Sequence, residues 1–216
     1  METASLRPVC VQLVACSVFQ PALEYLSRRG RLPKATITYM PSHLHLRVDE
    51  LQRQLAETVE GLKRKSQSIV LLYGTCFPDI DRFCTSLGIY RLRGEHCFEM
   101  MLGSERYRAL LEEAAGTYFL DQNLVRNFHS CCVEPLELED SELRRLYFHH
   151  YKRLVYLHQP ADADLADEIA AIGDFLELPV QKIPVGYEIL ERRLGEVIGK
   201  IVSEQEGPHD QEETQH

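Results

Sequence analysis

A chain of 216 residues, 44% of them hydrophobic, can build one α/β domain or two small half-domains and is too apolar to be disordered throughout. Its formal net charge of −9 excludes the concentrated Lys and Arg that binding to nucleic acid requires. No stretch approaches the ~20 uninterrupted apolar residues of a membrane span, and the start carries Glu2 in place of a basic signal region, so a cytoplasmic location is expected.

In chain order, strand and helix signals alternate from the start. Residues 9–15 form an apolar run of strand length. Residues 18–29 carry Phe19, Leu23 and Leu26 at helical spacing, and Gly30 stops them. Residues 36–40 are β-branched and short. Residues 49–65 repeat Leu51, Leu55, Val59 and Leu62, with Asp49 as expected N-cap. In the strand expected over 68–73, residues 69–73 are continuously apolar, as a strand buried on both faces should be. A helix over 80–87, a strand over 89–92 and one helix from Cys97 to Ala114 follow.

The second half repeats the theme. It has strands at 117–120, 153–158 and 179–183, helices at 141–151, 164–176 and 187–202, and an acidic stretch with Pro135 at 131–140 that reads as the linker between halves. This β-α repetition predicts an α/β fold: a three-layer, doubly wound domain with a mostly parallel sheet and two similar βα halves. The expected division is 1–115 for the N-terminal half, 116–202 for the C-terminal half and a disordered tail at 203–216. The basic groups Arg28-Arg29 and Lys63-Arg64-Lys65 sit near helix ends, where they complement the helix dipole.

Four side chains fall just past predicted strands: Cys16, His45, Cys76 and Cys97. If those strands are parallel in one sheet, their carboxyl ends share an edge, where open α/β folds bind ligands. Three thiols and one imidazole suit zinc or an iron–sulfur cluster. Cys97 heads a predicted helix, whose dipole is expected to favour thiolate. Gly74 and Thr75, in the turn before Cys76, are expected to admit a bound group, with His96 as a second ligand or base. His43 and His45, two apart, share a face if extended. Cys10 and Cys84 read as core, and the adjacent Cys131 and Cys132 are poorly placed to share one metal.

No phosphate-loop, serine-elbow or zincin motif occurs. A nucleophilic pair of Cys97 with His43 or His45 is the remaining hydrolytic arrangement.

Cys16, the segment Met40-Pro41-Ser42-His43-Leu44-His45, the turn Tyr73-Gly74-Thr75-Cys76, and Cys97 followed by Leu102-Gly103-Ser104-Glu105-Arg106-Tyr107 and Gly116-Thr117-Tyr118 occur in this order. The series resembles an uncharacterised family catalogued as domain of unknown function sixteen thirty-eight, common in anaerobic microbes. The resemblance implies a three-layer α/β fold with a cysteine-rich metal site at Cys16, His45, Cys76 and Cys97. It also implies work beside corrinoid-dependent methyl-transfer systems, with a corrinoid protein or methyltransferase as partner. Here Phe77-Pro78-Asp79 replaces the small residues usual after the cysteine turn, and Glu95 replaces a usual His. The expectation is a metal-binding enzyme or accessory factor in one-carbon metabolism. The alternative is a non-catalytic metal or cofactor carrier or a partner-binding module.

Overall fold

Val11–Cys16 and Ile69–Leu72 are buried along their whole length, as strands at the centre of a sheet covered on both faces must be. The computed structural model describes residues 11–32, 35–64, 66 and 68–206; Cys10 and Lys65 lie outside them. The first half runs β1 (Val11–Cys16), α1 (Gln20–Arg28), β2 (Ala35–Met40), α2 (Val48–Lys63), β3 (Ile69–Leu72), α3 (Ile80–Ser86), β4 (Tyr90–Arg91), α4 (Cys97–Leu102) and α5 (Ser104–Glu113). The second runs β5 (Thr117–Leu120), α6 (Gln122–Arg126), α7 (Ser141–Phe148), β6 (Arg153–His158), α8 (Ala166–Leu176), β7 (Val180–Pro184) and α9 (Glu188–Glu206).

The first sheet has the order β2-β1-β3-β4 and is parallel throughout, with Cys16 beside Met40 and Ala15 beside Leu72. The chain leaves β1 toward β2 and then returns past it to β3. Right-handed crossovers therefore put α1 on one face and α2 and α3 on the other. A crevice opens where the direction reverses, beyond the carboxyl ends of β1 and β3.

The second sheet, β5-β6-β7, is also parallel. Its residues alternate between two cores. Phe119, Val155, Leu157 and Ile183 enter the core of the first half, whereas Leu120, Leu154 and Tyr156 pack into a second core beneath α8. A strand's period of two divides one sheet between two hydrophobic layers. The result is a three-layer α/β fold with parallel sheets.

Several boundaries differ from the sequence expectation for local reasons. The helix expected over 97–114 breaks at Gly103, whose φ of +81° no helix continues through, giving α4 and α5. Asp49 lies in the first turn of α2 and Arg47 takes the N-cap position. The stretch expected as linker, 131–140, is packed structure: His129–Val133 forms a π-helical turn, and Cys132, Val133 and Leu138 are buried in the second core. The last helix runs four residues past Val202, to Glu206. Its final turn is tied down by Gln205 to Ser68 Oγ at 2.7 Å and by Tyr90 to Glu204. The remaining expected tail, 207–216, lies outside the described residues.

Candidate functional site

The carboxyl ends of β1 and β3 deliver two cysteines to the crevice. Cys16 is the last residue of β1 and is 2% exposed. β3 continues through Tyr73 and Gly74 into the turn that presents Cys76. The third sulfur comes from Cys97 at the start of α4. The loop that carries it is held by Arg91, which donates to the carbonyls of Tyr73 at 2.9 Å and Gly94 at 3.1 Å while pairing with Asp81.

Gly74 explains why these loops can meet. A Cβ there would stand 2.7 Å from the Glu95 carbonyl oxygen and 2.9 Å from His96 Cα. Thr75 adds two bonds to the same Glu95 carbonyl, from its N–H at 2.9 Å and its hydroxyl at 2.8 Å. Gly74 and Thr75 therefore fasten the Cys76 turn to the Cys97 loop. The close approach expected for a bound group is taken by the protein's own backbone.

The four donors form a series of contacts. Cys97 hydrogen-bonds with Cys16 and with Cys76, and its sulfur also receives the Gly74 N–H. Cys76 Sγ lies 3.2 Å from His45 Nε2. His45 Nδ1 donates to the Ser42 carbonyl at 2.6 Å, which leaves Nε2 to accept from the Cys76 thiol when the ring is neutral. Tyr73 packs under this series, its ring stacked on His45 at 5.8 Å between centroids. Its hydroxyl is buried with no hydrogen-bonding partner.

The electrostatics are those of protonated thiols. The hydrogen bond that the Cys76 thiol donates toward Cys97, and then burial, hold Cys76 above its ordinary pKa, against the pull of His45. Cys97 is held well above its own value, first by Cys16 and then by burial, with Cys76 and the Gly74 N–H acting the other way. The thiolate expected from the helix dipole is thus not favoured in the metal-free chain. Neighbouring sulfurs and lost solvation outweigh a six-residue helix. Burial opposes a charge on His45, yet its bonds with Cys76 and Ser42 hold the ring above its ordinary pKa. Burial and then the charge at His45 keep His96 below its own.

His43 does not share the face of His45, because Ser42–Leu46 is a 3-10 turn and leaves His43 exposed. Cys84 is core in α3, and burial pushes its thiol up to about 11. Cys132 is core beside the Tyr118 hydroxyl at 3.5 Å. Among the described residues, no group of three or more His, Cys, Asp or Glu side chains could hold a metal ion as the side chains stand. The donors form a string, and a shared ion would require rotation about χ1 of the cysteines.

A cavity of about 380 Å³ lies over the thiols. One wall carries Cys16, His45, Cys76 and Cys97 from the first sheet's edge; the opposite wall carries Phe119 and Asp121 from β5 and its extension, with Asn123. Ser17 links the walls, its hydroxyl accepting from the Ser42 N–H at 3.1 Å and from Asn123 Nδ2 at 3.0 Å. Residues 39–194 match the model of the family described as Protein of unknown function (DUF1638). The chain belongs to that family. No curated protein and no solved structure matches it.

The DUF1638 match contains His45, Cys76 and Cys97, while Cys16 precedes it. The same match spans the segment Leu102–Tyr107, whose residues the structure gives a shared task. Ser104 bonds to buried Glu99, which pairs with Arg193 of α9 at 2.8 Å. Arg106 donates to the Pro184 carbonyl at 3.1 Å, and Tyr107 stacks on both His96 and Phe119. This segment holds the two walls of the cavity together.

Sequence reasoning missed Tyr73, Tyr107, Phe119 and Asp121 as site residues. Tyr73 and Tyr107 enter the sequence reading only within expected elements and the segments that carry the resemblance, and Phe119 only within a strand. Asp121, directly after the apolar run of β5, carried the same signal of position that singled out the cysteines.

Proposed function

We propose that this chain binds a soft metal, zinc or an iron–sulfur cluster, through Cys16, Cys76 and Cys97 with His45, and serves as an enzyme or accessory factor in corrinoid-linked methyl transfer. The observation that carries the reading is the unbroken run of contacts from Cys16 through Cys97 and Cys76 to His45 at the reversal point of a parallel sheet. The buried, unpartnered Tyr73 hydroxyl, within electrostatic reach of all three sulfurs, supports it, since such a donor needs an acceptor and sulfur bearing negative charge is one. Donor chemistry fits a soft ion, and closing the shell would take rotation of the cysteine side chains about χ1.

When bound, zinc would supply Lewis acidity toward an incoming thiol or water, and a cluster held by three cysteines would leave one iron for His45 or for substrate. The chain's own residues would do the rest. His45 would stay oriented by the Ser42 carbonyl, and Gly74 and Thr75 would fix the spacing of Cys76 and Cys97. The walls of the cavity would exclude water.

The test is metal content and visible absorption after purification without oxygen. Broad visible absorption with iron identifies a cluster; a colourless protein with about one zinc per chain identifies a zinc site. Cys76→Ser and Cys97→Ser are each expected to lose most of the metal, and Cys84→Ser and Cys132→Ser to keep it. A serine hydroxyl is too hard and too weakly acidic to replace a thiolate. No metal in the wild type, or full metal in Cys97→Ser, overturns the reading. Turnover of candidate methyl donors then separates an enzyme from a carrier.

A further inference from the structure

We propose that the cavity between the sheets is a binding site for a small organic cation of the ammonium type, recognised by aromatic rings and by the carboxylate of Asp121. This deepens the reading above by naming what approaches the thiols.

The first observation is the lining. Four of the rings around the cavity, His96, Phe98, Tyr107 and Phe119, form one cluster with centroids 5.1–6.0 Å apart in successive pairs. Tyr118 and Tyr151 add an edge-to-face pair at 5.2 Å. Rings gathered round a space of this size are the means by which proteins hold ammonium groups, because each π face is negative. The volume, about 380 Å³, falls in the usual range for ligand pockets, roughly 300–1,000 Å³.

The second observation is charge. No Lys or Arg is among the described residues lining the cavity. Both ring nitrogens of His45 are engaged, with Cys76 and with the Ser42 carbonyl. Asp121 is the only carboxyl group among the described residues of the lining and is 4% exposed. One of its oxygens accepts from the Leu124 N–H at 3.0 Å, while Oδ2 is buried without any partner. A buried carboxylate oxygen with no donor is costly unless a ligand supplies one or a positive charge. Burial, with Asp162 nearby, keeps this carboxyl at about 7, and a bound cation would favour its ionised form at neutral pH.

Calorimetric titration of metal-free protein with three ligands of one shape tests the proposal: choline, the neutral isostere 3,3-dimethylbutan-1-ol and the anion 3,3-dimethylbutanoate. Choline is expected to bind about tenfold or more tighter than the alcohol, and the anion not to bind. Asp121→Asn should bring choline down to the affinity of the alcohol and leave the alcohol unchanged. Tyr107→Leu, at a half-buried ring, is the second variant should Asp121→Asn fail to fold; it should weaken choline more than the alcohol. Choline binding no tighter than the alcohol, binding of the anion, or no binding by choline overturns the proposal. Because no metal is present, the result is independent of the metal analysis above.

Discussion

Asp121 caps α6 with one carboxylate oxygen and leaves the other buried beside Asp162, which itself takes hydrogen bonds from the Tyr156 hydroxyl at 2.7 Å and the Gln159 N–H at 2.8 Å. Burial is the main reason its pKa rises from 3.8 to about 7. A carboxyl raised in this way binds its proton more tightly in the folded chain than in the unfolded one. Its contribution is therefore favourable at acid pH and is lost as pH climbs from about 4 through about 7. The protonated form is preferred by roughly 4 kcal/mol at 1.36 kcal/mol per pKa unit. Asp121→Asn keeps an acceptor for the cap, so the variant should match the wild type near pH 4 and exceed it increasingly toward pH 8 in urea unfolding. Parallel curves for the two proteins would show that no buried charge forms there. The cysteines and His45 were legible from sequence because each follows an apolar run; their pairwise contacts were not, since these depend on Gly74 admitting the Glu95–His96 backbone.

At the scale of elements, the strands were the most legible feature. The run Ile69–Leu72 is wholly apolar and Val11–Cys16 is interrupted only by buried Gln12, a pattern of strand length that suits the centre of a covered sheet. The break between α4 and α5 was not legible, because apolar residues recur on both sides of Gly103 and a lone glycine within a helix is tolerated. Its φ of +81° and the 3.1 Å from a hypothetical Cβ to Ile189 Cδ1 make it a fixed bend. Gly103→Ala should cost about 1–2 kcal/mol in chemical denaturation, from the backbone conformation that an L side chain resists. Because α5 carries Tyr107 to its stack with His96 and Phe119, the same variant should also perturb the aromatic cluster, read as a change in near-ultraviolet circular dichroism. An unchanged denaturation midpoint would mean the bend relaxes freely.

For the whole molecule, the alternation of strand and helix signals foresaw an α/β fold with parallel strands but not the way its two sheets share a core. The face of the second sheet turned to the first core, and the buried Leu190, Leu194, Ile198 and Ile201 of α9, make the halves one hydrophobic unit. The start of α9 meets the end of α1: Tyr25 packs on Tyr187, just before α9, at 4.7 Å between centroids, and Arg31, just past α1, pairs with Glu191. The polar residues after Val202 gave no apolar signal, so the last turn, held by hydrogen bonds alone, could not be read from hydropathy. Ending the chain at Val202 should lower stability by about 1 kcal/mol through loss of the Gln205–Ser68 and Glu204–Tyr90 bonds. A melting temperature equal to that of the intact chain would show those bonds to be energetically idle.

The placement of α9 also sets an order of events during synthesis. β1 to β4 are translated first, yet the side of their sheet that α9 covers stays open until residues 188–206 have left the ribosome. The nascent first half cannot complete a core by itself, and its folding is held back until α9 has been made. Through that interval Cys16, Cys76 and Cys97 belong to an unfinished sheet, reachable by ions and oxidants alike.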